Sequence, residues 1–253
     1  MVRDLKINSQ VHKHIRIFKL DTRYDNMKTL GVITARSGSK GIKDKNIRYL
    51  KGKPLLAYTI ESALNSRFID EVMVSTDSEN YANISREFGA NVPFLRSEEN
   101  STDTAKSVDV LLEVLDEYKR RGQEFDNVVL LQPTSPMRTY KNLNDAFQMF
   151  YDKNADSVVS VCECEHNPNF CNTLPTDLNL SRFIKNESIK RRQDLEKFYR
   201  VNGAIYISKV NALREKHSFY GRLSFAFIME QKESIDIDLE LDFEYVEFLM
   251  NRF

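Results

Sequence analysis

Short β-branched runs alternate with longer stretches of helical periodicity from Leu30 onward, and this alternation restricts the fold more than any other feature of the chain. Strands that alternate with helices form βαβ units, whose strands assemble into a largely parallel sheet. We predict an α/β fold with strands at 30–35, 71–75, 127–132, 157–162, 203–208 and 225–229. With 253 residues, 41% of them hydrophobic, the chain can bury one sizeable core, so we expect one main domain.

Three helices are predicted from apolar residues that recur at spacings of three and four. Pro54 is well placed to open the first helix, and Gly122 to end the second. The apolar positions that define the three helices are Leu56, Ile60 and Ala63 or Leu64; Val108, Leu111, Leu112, Leu115 and Tyr118; and Leu239, Phe243, Val246 and Met250.

Charge and hydropathy exclude several classes of protein. The formal net charge is zero, so the overall balance does not draw the chain to nucleic acid or to an anionic membrane surface. No apolar stretch approaches the roughly 20 residues that span a bilayer, and the start of the chain lacks the apolar core of a secretory signal. We therefore expect a cytoplasmic protein, in which any cationic site is local.

Two regions lie outside the alternation. Residues 1–26 carry basic residues and histidines with little periodic apolar content, and they are interpreted as an N-terminal extension of a domain at 27–253. Residues 163–200 contain two prolines and a dense basic run, which indicates an inserted flap or small subdomain; a plain surface loop is the alternative.

The three cysteines lie close together in the sequence, at Cys162, Cys164 and Cys171. A zinc site usually has four ligands, and His166 would have to supply the fourth. Reduced thiols in and beside a buried strand are the preferred interpretation.

A glycine-containing loop rich in cations follows the first predicted strand. Gly38 and Gly41 let backbone N–H groups face an anion, while Arg36, Lys40 and Lys45 bring positive charge to phosphate oxygens. The loop lacks the Gly-Lys-Ser/Thr end of the NTPase phosphate loop and the Gly-x-Gly-x-x-Gly dinucleotide spacing. It predicts a polyphosphate site, with an exposed and solvated basic loop as the alternative.

Polar clusters also follow three other predicted strands, at Ser75–Ser78, Gln132–Arg138 and Ile235–Asp238. Ligands of open parallel sheets bind beyond the carboxyl ends of the strands, so we expect all four clusters to face one crevice. Asp236 and Asp238 are two residues apart in an extended segment and so point the same way, which suits a magnesium ion that also holds phosphates.

Each of these clusters has a structural alternative. Asp238 directly precedes the last helix and could be its N-cap, and the serine and threonine neighbours of Asp77 could form a turn or cap the helix that follows. The two prolines of Gln132–Arg138 make a stiff loop that can hold an amide and a guanidinium in place. The alternative is a plain connection in which Ser135 or Thr139 caps a helix and Arg138 is solvated.

Several of these motifs, in this order, resemble those of the acylneuraminate cytidylyltransferases, also called CMP-sialic acid synthetases. The resemblance covers about residues 28–252. The matching motifs are Ala35 to Gly41 with Lys45-Asn46, Val74-Ser-Thr-Asp-Ser78, Arg96 with Asp103-Thr-Ala-x-Ser107, Leu131 to Arg138, Glu165-His-x-Pro168, Arg192-Gln193, Arg200 to Tyr206 and Ser234 to Asp242.

The resemblance implies a Rossmann-like, three-layer nucleotidyltransferase fold, similar to the glycosyltransferase-A fold, with a mainly parallel sheet and a small inserted dimerisation or flap subdomain. It implies a homodimer that uses Mg²⁺ or another divalent cation such as Mn²⁺. CTP and an acidic nine-carbon sugar such as N-acetylneuraminic acid would yield the CMP-sugar and pyrophosphate. Related enzymes act on legionaminic, pseudaminic or octulosonic acids, and a departure from the sialic acid pattern at Asn169-Phe170 leaves the exact sugar open.

The resemblance also implies roles for individual residues, by position in the matching motifs. Cations of the glycine-containing loop, with Asn46, would bind the phosphates and ribose of CTP. A second group would surround the cytosine, a third would contact the sugar, and the acidic pair would hold the metal. In that order, the residues are Arg36, Lys40, Lys45 and Asn46; Arg96, Ala105 and Ser107; Gln132, Arg192 and Tyr206; and Asp236 and Asp238.

Overall fold

The structure is a computed structural model that describes residues 26–38, 41–184 and 195–252. Its centre is a six-stranded sheet in the order β4-β1-β5-β7-β6-β8. The strands are β1 (Thr29–Thr34), β4 (Glu71–Ser75), β5 (Asn127–Leu131), β6 (Ser157–Glu163), β7 (Tyr199–Lys209) and β8 (Ser224–Ile228). A separate two-stranded hairpin, β2 (Tyr49–Leu50) and β3 (Lys53–Pro54), follows the cationic loop.

The sheet is mainly parallel, as predicted. β1 pairs in parallel with β4 and β5, and β6 pairs in parallel with β8. β7 is antiparallel to both of its neighbours, β5 and β6. The amino end of β7 therefore lies at the edge of the sheet where the other strands have their carboxyl ends. β7 is also longer than the predicted 203–208, because Tyr199, Arg200 and Val201 pair with the end of β6.

The described part of the chain contains six α-helices, five between strands and one after β8: α1 (Leu55–Leu64), α2 (Glu79–Glu87), α3 (Ser107–Arg120), α4 (Tyr140–Asp152), α5 (Val210–Lys216) and α6 (Glu240–Met250). Pro54 immediately precedes α1, and Gly122 lies just past α3 with φ 78°. Ala63, not Leu64, completes the buried face of α1. Leu239 is largely exposed and precedes α6 instead of packing in it.

The core lies on both faces of the sheet, which gives three layers. Ile33 and Val129 pack on one face with α1 and α4, while Val32 and Leu130 pack on the other face with α3 and α5. This arrangement confirms the predicted three-layer α/β fold. A smaller cluster, which includes Ile42 and Ile237, joins the cationic loop to the segment before α6.

The helix N-termini settle three open alternatives. Ser78, a neighbour of Asp77, caps α2, because its Oγ accepts from Tyr81 N, as the structural alternative for that cluster predicts. Thr139 caps α4, whereas the hydroxyl of Ser135 is buried without a partner. Asp238 is not the N-cap of α6, because Leu239 takes that position and Asp242 accepts from the backbone N–H groups of Asp238 and Leu239, at 3.0 and 2.8 Å. The Asp238 carboxylate is thus not used in capping.

The predicted excursion at 163–200 overlaps the ends of β6 and β7. Between them, the described residues 164–184 and 195–198 contain one short 3₁₀ helix, Pro168–Phe170. The three cysteines are free thiols, and no group of three metal-ligating side chains is present in the described ranges. None of the described helices has the length and apolar character needed to cross a membrane. The predicted N-terminal extension, 1–26, lies outside the described residues except for Asn26.

Candidate active site

A cavity of about 590 Å³ opens at the carboxyl edge of the parallel strands, where the sequence predicts one crevice. Three of the four predicted polar clusters line it: the cationic loop, the start of Gln132–Arg138 and the acidic pair. The predicted site residues among its walls are Arg36, Lys45, Asn46, Arg96, Ala105, Ser107, Gln132, Asp236 and Asp238. Lys40 and Arg192 lie outside the described residues.

The cationic loop contacts the acidic segment directly, although about 190 residues separate them in the sequence. Lys45 Nζ donates to the backbone oxygen of Ile237 at 2.7 Å and pairs with Asp238 Oδ1 at 3.0 Å. A Cβ on Gly41 would lie 2.6 Å from the backbone oxygen of Asp238, so only glycine fits without a shift. Cations and carboxylates therefore share one wall of the cavity.

Two hydrogen-bonded residues hold the cationic loop in shape. Asn46 is buried, and its Nδ2 donates to the backbone oxygen of Arg36 at 3.1 Å. Asp77 does not line the cavity; it accepts from Ser37 N at 2.8 Å and from Ser37 Oγ at 3.0 Å. The Ser75–Ser78 cluster thus contacts the cationic loop instead of lining the cavity. Arg36 lines the cavity and pairs with Asp103 at 2.5 Å.

The acidic pair has the properties of an incomplete ligand set. Asp236 Oδ1 is buried and has no hydrogen-bond partner, and Asp238 is exposed to the cavity. Burial raises the pKa of Asp236, with a smaller increase from the Asp238 charge, while a hydrogen bond from Thr134 opposes the rise. A buried carboxylate oxygen without a partner is costly unless a cation satisfies it.

The donor set fits magnesium. Mg²⁺ commonly binds one or two carboxylates and completes its shell with water and substrate phosphates. Asp236 and Asp238 supply two hard oxygen donors on the wall that also carries Lys45. These two residues can hold such an ion without a third protein ligand.

Several uncharged residues also line the cavity. Ala105, Ser107 and the buried Val110 line it, together with Asn100. Arg96 is 9% exposed; its Nε donates to Ser75 Oγ at 2.9 Å and its Nη2 donates to the backbone oxygen of Ser75. Burial lowers the pKa of Arg96 to about 10, so the side chain stays a cation at neutral pH.

Gln132 is held between β5 and β7. A Cβ on Gly203 would collide with Gln132 Oε1 and would lie 3.6 Å from Asp236 Oδ2, and Gly203 has φ 78°. Arg138, which was solvated in one of the two interpretations, is instead fully buried. Its Nη1 donates to the backbone oxygens of Ala204 at 2.7 Å and Gln132 at 3.2 Å, so the guanidinium ties the loop to β7.

Tyr206 does not line the cavity. Its ring lies 5.2 Å from that of Phe219, in the cluster on the α3 and α5 face, and burial raises its pKa to about 12. The Asp236 charge also raises that pKa, so the hydroxyl lies within electrostatic range of the acidic pair.

The sequence prediction assigned no site role to several residues that line or shape the cavity, among them Thr34, Asn100, Val110 and Gly203. Thr34 ends β1, so the rule that selects residues at the carboxyl ends of strands could have found it. Asn100 lies in the 3₁₀ helix Glu99–Ser101, outside any motif, and no sequence signal identifies it.

Comparison with known proteins supports the predicted family. Residues 30–249 match the cytidylyltransferase family. The chain is 38% identical to the CMP-N,N'-diacetyllegionaminic acid synthase of Legionella pneumophila, over 88% of this chain and 97% of that protein. It is 41% identical to the N-acylneuraminate cytidylyltransferase of Streptococcus agalactiae, over 87% of this chain and 52% of that protein, so it spans about half the length of that relative.

Solved structures show the same fold. The CMP:2-keto-3-deoxy-manno-octonic acid synthetase complexed with CTP has a TM-score of 0.68 to this chain at 19% identity, over 89% of this chain and 99% of that one. The likeness extends over nearly the whole of both chains. The match over residues 30–249, with the 38% identity to the Legionella relative, establishes that the chain belongs to the cytidylyltransferase family and is a nucleotidyltransferase, as the resemblance to the acylneuraminate cytidylyltransferases predicts.

Proposed function

We propose that the chain transfers CMP from CTP to the anomeric hydroxyl of a sialic-acid-like nonulosonic acid, N-acetylneuraminate or a close relative, and releases pyrophosphate. The observation that supports this most is the meeting of Arg36 and Lys45 with Asp236 and Asp238 around one cavity. A triphosphate needs both cations and a metal to offset its charge, and this cavity supplies side chains for each.

CTP would lie along the cavity with its phosphates at the cationic loop. Arg36, Lys40 and Lys45 would bind the phosphate oxygens. Arg36 and Lys45 are paired with Asp103 and Asp238, so phosphate oxygens would take over bonds that carboxylates now make. Asn46 would contact the ribose.

The cytosine would lie beside the uncharged residues of the cavity. Arg96, Ala105 and Ser107 would surround it, with Val110 as an apolar wall. The Arg96 guanidinium is fixed by Ser75, so its position does not have to be set by the ligand.

The acidic pair would hold Mg²⁺, or another divalent cation such as Mn²⁺. When bound, the ion would neutralise phosphate charge and favour departure of pyrophosphate. Asp236 would contribute the buried oxygen that now has no partner, and Asp238 the exposed carboxylate next to Lys45.

Gln132, Arg192 and Tyr206 would contact the acidic sugar. Of the two members that the structure describes, Gln132 lines the cavity, and its side chain lies against Gly203, near Asp236. An amide at this position can hydrogen-bond a sugar hydroxyl or carboxylate beside the α-phosphate.

The chain's own residues would act chiefly by alignment and charge. The anomeric hydroxyl is a weak nucleophile that approaches a phosphate surrounded by negative oxygens, so fixing the two reactants in line removes much of the barrier. Lys45 and the other loop cations would stabilise the charge that develops on the leaving pyrophosphate. We assign no general base, and His166 is expected only to shape the sugar pocket.

The test is pyrophosphate release from CTP with a panel of sugars: N-acetylneuraminate, N,N'-diacetyllegionaminate, pseudaminate, 3-deoxy-manno-octulosonate and a sugar 1-phosphate. ATP, GTP and UTP serve as controls. We expect turnover with CTP and a nine-carbon acid. Turnover with a sugar 1-phosphate and with none of the acids would overturn the proposal.

The nearest alternative is a cytidylyltransferase for legionaminic acid, and one specific observation favours it. The Legionella relative, a CMP-N,N'-diacetyllegionaminic acid synthase, is covered over 97% of its length, whereas the streptococcal N-acylneuraminate enzyme is covered over 52%. The sugar panel decides between them by the ratio of kcat/KM for the two acids.

We also propose that the enzyme is a cytoplasmic homodimer. The excursion between β6 and β7 exposes Leu174, Leu178 and Leu180, each about 60% exposed. Apolar side chains grouped on one excursion favour burial against a second copy. Sedimentation should give a dimer, and Leu178→Asp with Leu180→Asp should shift it toward the monomer.

A further inference from the structure

We propose that Asn100 reads the 4-amino group of the nucleobase and that Glu113 fixes the orientation of its amide, so that this pair discriminates CTP from UTP. The inference rests on the proposed function to the extent that the bound nucleotide is a pyrimidine triphosphate. It assigns a specificity-determining role to Asn100, which lines the cavity, and a positioning role to Glu113 behind it.

Three hydrogen bonds from one loop converge on the Glu113 carboxylate. Oε1 accepts from Ser97 N at 2.8 Å, and Oε2 accepts from Ser97 Oγ at 2.9 Å and from Asn100 Nδ2. Glu113 lies on α3, whose inner face is buried, whereas residues 97–106 form the connection that includes the 3₁₀ helix Glu99–Ser101 and precedes Ser107. The helix therefore holds the loop through this carboxylate.

The bond to Glu113 determines which atom of the amide faces the ligand. An ionised carboxylate accepts hydrogen bonds and donates none, so the Asn100 amide must turn its NH₂ group toward Glu113. Oδ1 is then the atom that Asn100 offers to the cavity, and no donor within the described ranges contacts it. The end of the cavity beside Ser107 and Val110 thus presents a fixed acceptor.

A fixed acceptor distinguishes the two pyrimidines. Cytosine carries an amino group, a donor, at the position where uracil carries a carbonyl oxygen, an acceptor. Oδ1 would accept a hydrogen bond from the cytosine amino group, whereas it would face the uracil oxygen with both groups unpaired. Sites that hydrogen-bond a specific group reject the analogue that lacks it, because the buried polar groups are left unsatisfied.

The position of the base follows from the charges in the cavity. Lys45, Asp236 and Asp238 meet on one wall of the cavity and suit the triphosphate and its metal. Val110 supplies an apolar surface for a planar ring, and Asn100 is bonded to Glu113, three residues beyond Val110 on α3. The neutral base is therefore expected beside Val110 and Asn100.

Glu113→Gln gives the sharpest test, because a glutamine can donate as well as accept and so allows the Asn100 amide to turn over. The amide can then present NH₂ to the uracil oxygen. We expect the ratio of the Kd for UTP to the Kd for CTP, measured by calorimetry with Mg²⁺ and no sugar, to fall by about tenfold, partly through tighter UTP binding. Asn100→Ala removes the acceptor and should lower the same ratio by weakening CTP alone.

Glu117→Gln is the matched control: the same substitution on the same helix, at a residue paired with Arg120 at 2.7 Å. It should leave the ratio unchanged. A fall in CTP and UTP affinity by the same factor in Glu113→Gln would mean that Glu113 only supports the fold, and an unchanged ratio in Asn100→Ala would overturn the proposal. Because binding is measured without sugar, loss of turnover with every acid would count against the proposed reaction and not against this assignment.

Discussion

The Cα of Gly41 faces the backbone oxygen of Asp238 so closely that a Cβ would lie 2.6 Å from it. This contact joins the cationic loop to the acidic pair without any side chain from Gly41. The spacing between the proposed phosphate ligands and the proposed metal ligands therefore depends on one backbone approach, which only glycine permits.

Gly41→Ala should lower kcat/KM for CTP by about tenfold or more, because the loop must move away from Asp238 and misplace Lys45 relative to the acidic pair. Steady-state pyrophosphate release measures this. Gly221→Ala is the control: a Cβ there meets only the flexible end of Lys216, at 3.3 Å, so activity should be retained. Full activity of Gly41→Ala would show that the approach does not set the site geometry.

Asp236→Asn should reduce turnover by about a hundredfold or more while leaving the thermal midpoint of the free protein unchanged or slightly raised. The substitution removes a buried charge whose Oδ1 has no hydrogen-bond partner, so folding loses little, whereas the proposed metal site loses a ligand. Thermal unfolding without ligand measures the effect on folding, and thermal unfolding with CTP and Mg²⁺ measures the effect on metal binding. CTP and Mg²⁺ together should raise the thermal midpoint of the wild type but not that of Asp236→Asn.

Glu240→Gln provides a charge-matched comparison for Asp236→Asn. Glu240 lies two residues beyond Asp238, is exposed and pairs with Arg48 at 2.6 Å. It should keep both turnover and the stabilisation by CTP and Mg²⁺. Equal activity of Asp236→Asn and the wild type would exclude the metal role of Asp236.

The strands were predictable because they are short and rich in apolar residues, and β1, β4 and β5 are almost entirely buried. Five of the six predicted strands agree with the structure to within one residue at each end. β7 was the exception, in length and in direction, because an antiparallel neighbour has the same local pattern as a parallel one. The antiparallel direction of β7 brings Gly203 to the edge of the sheet where the cavity opens. The sequence around β7 does not indicate this direction.

The site was predictable where a motif carries its chemistry. The cationic loop and the acidic pair meet, as the resemblance implies, because both follow strands of one parallel sheet. Arg138 shows the limit: its side chain resembles that of any loop arginine, yet carbonyl acceptors from β7 and its own loop keep it buried without a carboxylate. Which acceptors surround a residue depends on tertiary packing, so the sequence alone left both interpretations open.

Gly203→Ala should raise KM for the sugar more than KM for CTP, because the added methyl displaces Gln132 from its place beside Asp236. The substitution also costs about 1 kcal/mol of stability through the positive φ alone. Gly122→Ala separates these effects, since Gly122 has the same φ of 78° and no atom within 4 Å of its Cβ. It should lose similar stability and keep both KM values, and an unchanged sugar KM in Gly203→Ala would argue against the role of Gln132.

Asp156 should make folding stability depend on pH on the acid side of neutrality. Its Oδ2 accepts from Lys216 Nζ at 2.6 Å and its Oδ1 faces Lys209 Nζ at 3.5 Å, and the Lys216 hydrogen bond is the main reason that its pKa lies below the ordinary value. A carboxyl group whose pKa is lowered by folding stabilises the protein above its unfolded pKa, and this contribution is lost as pH falls through the folded pKa.

Asp156→Asn should therefore lower the free energy of unfolding at pH 7 by at most about 1 kcal/mol, since the carboxylate is partly exposed to solvent. The difference from the wild type should shrink and vanish as pH falls below the folded pKa, where the wild-type group is also neutral. Urea unfolding from pH 7 to pH 3 measures it, with Asp145→Asn, at an exposed position of α4, as the control. A deficit that stayed constant down to pH 3 would mean that Asp156 acts through packing and not through its charge, because only the charged form is held by Lys216 and Lys209.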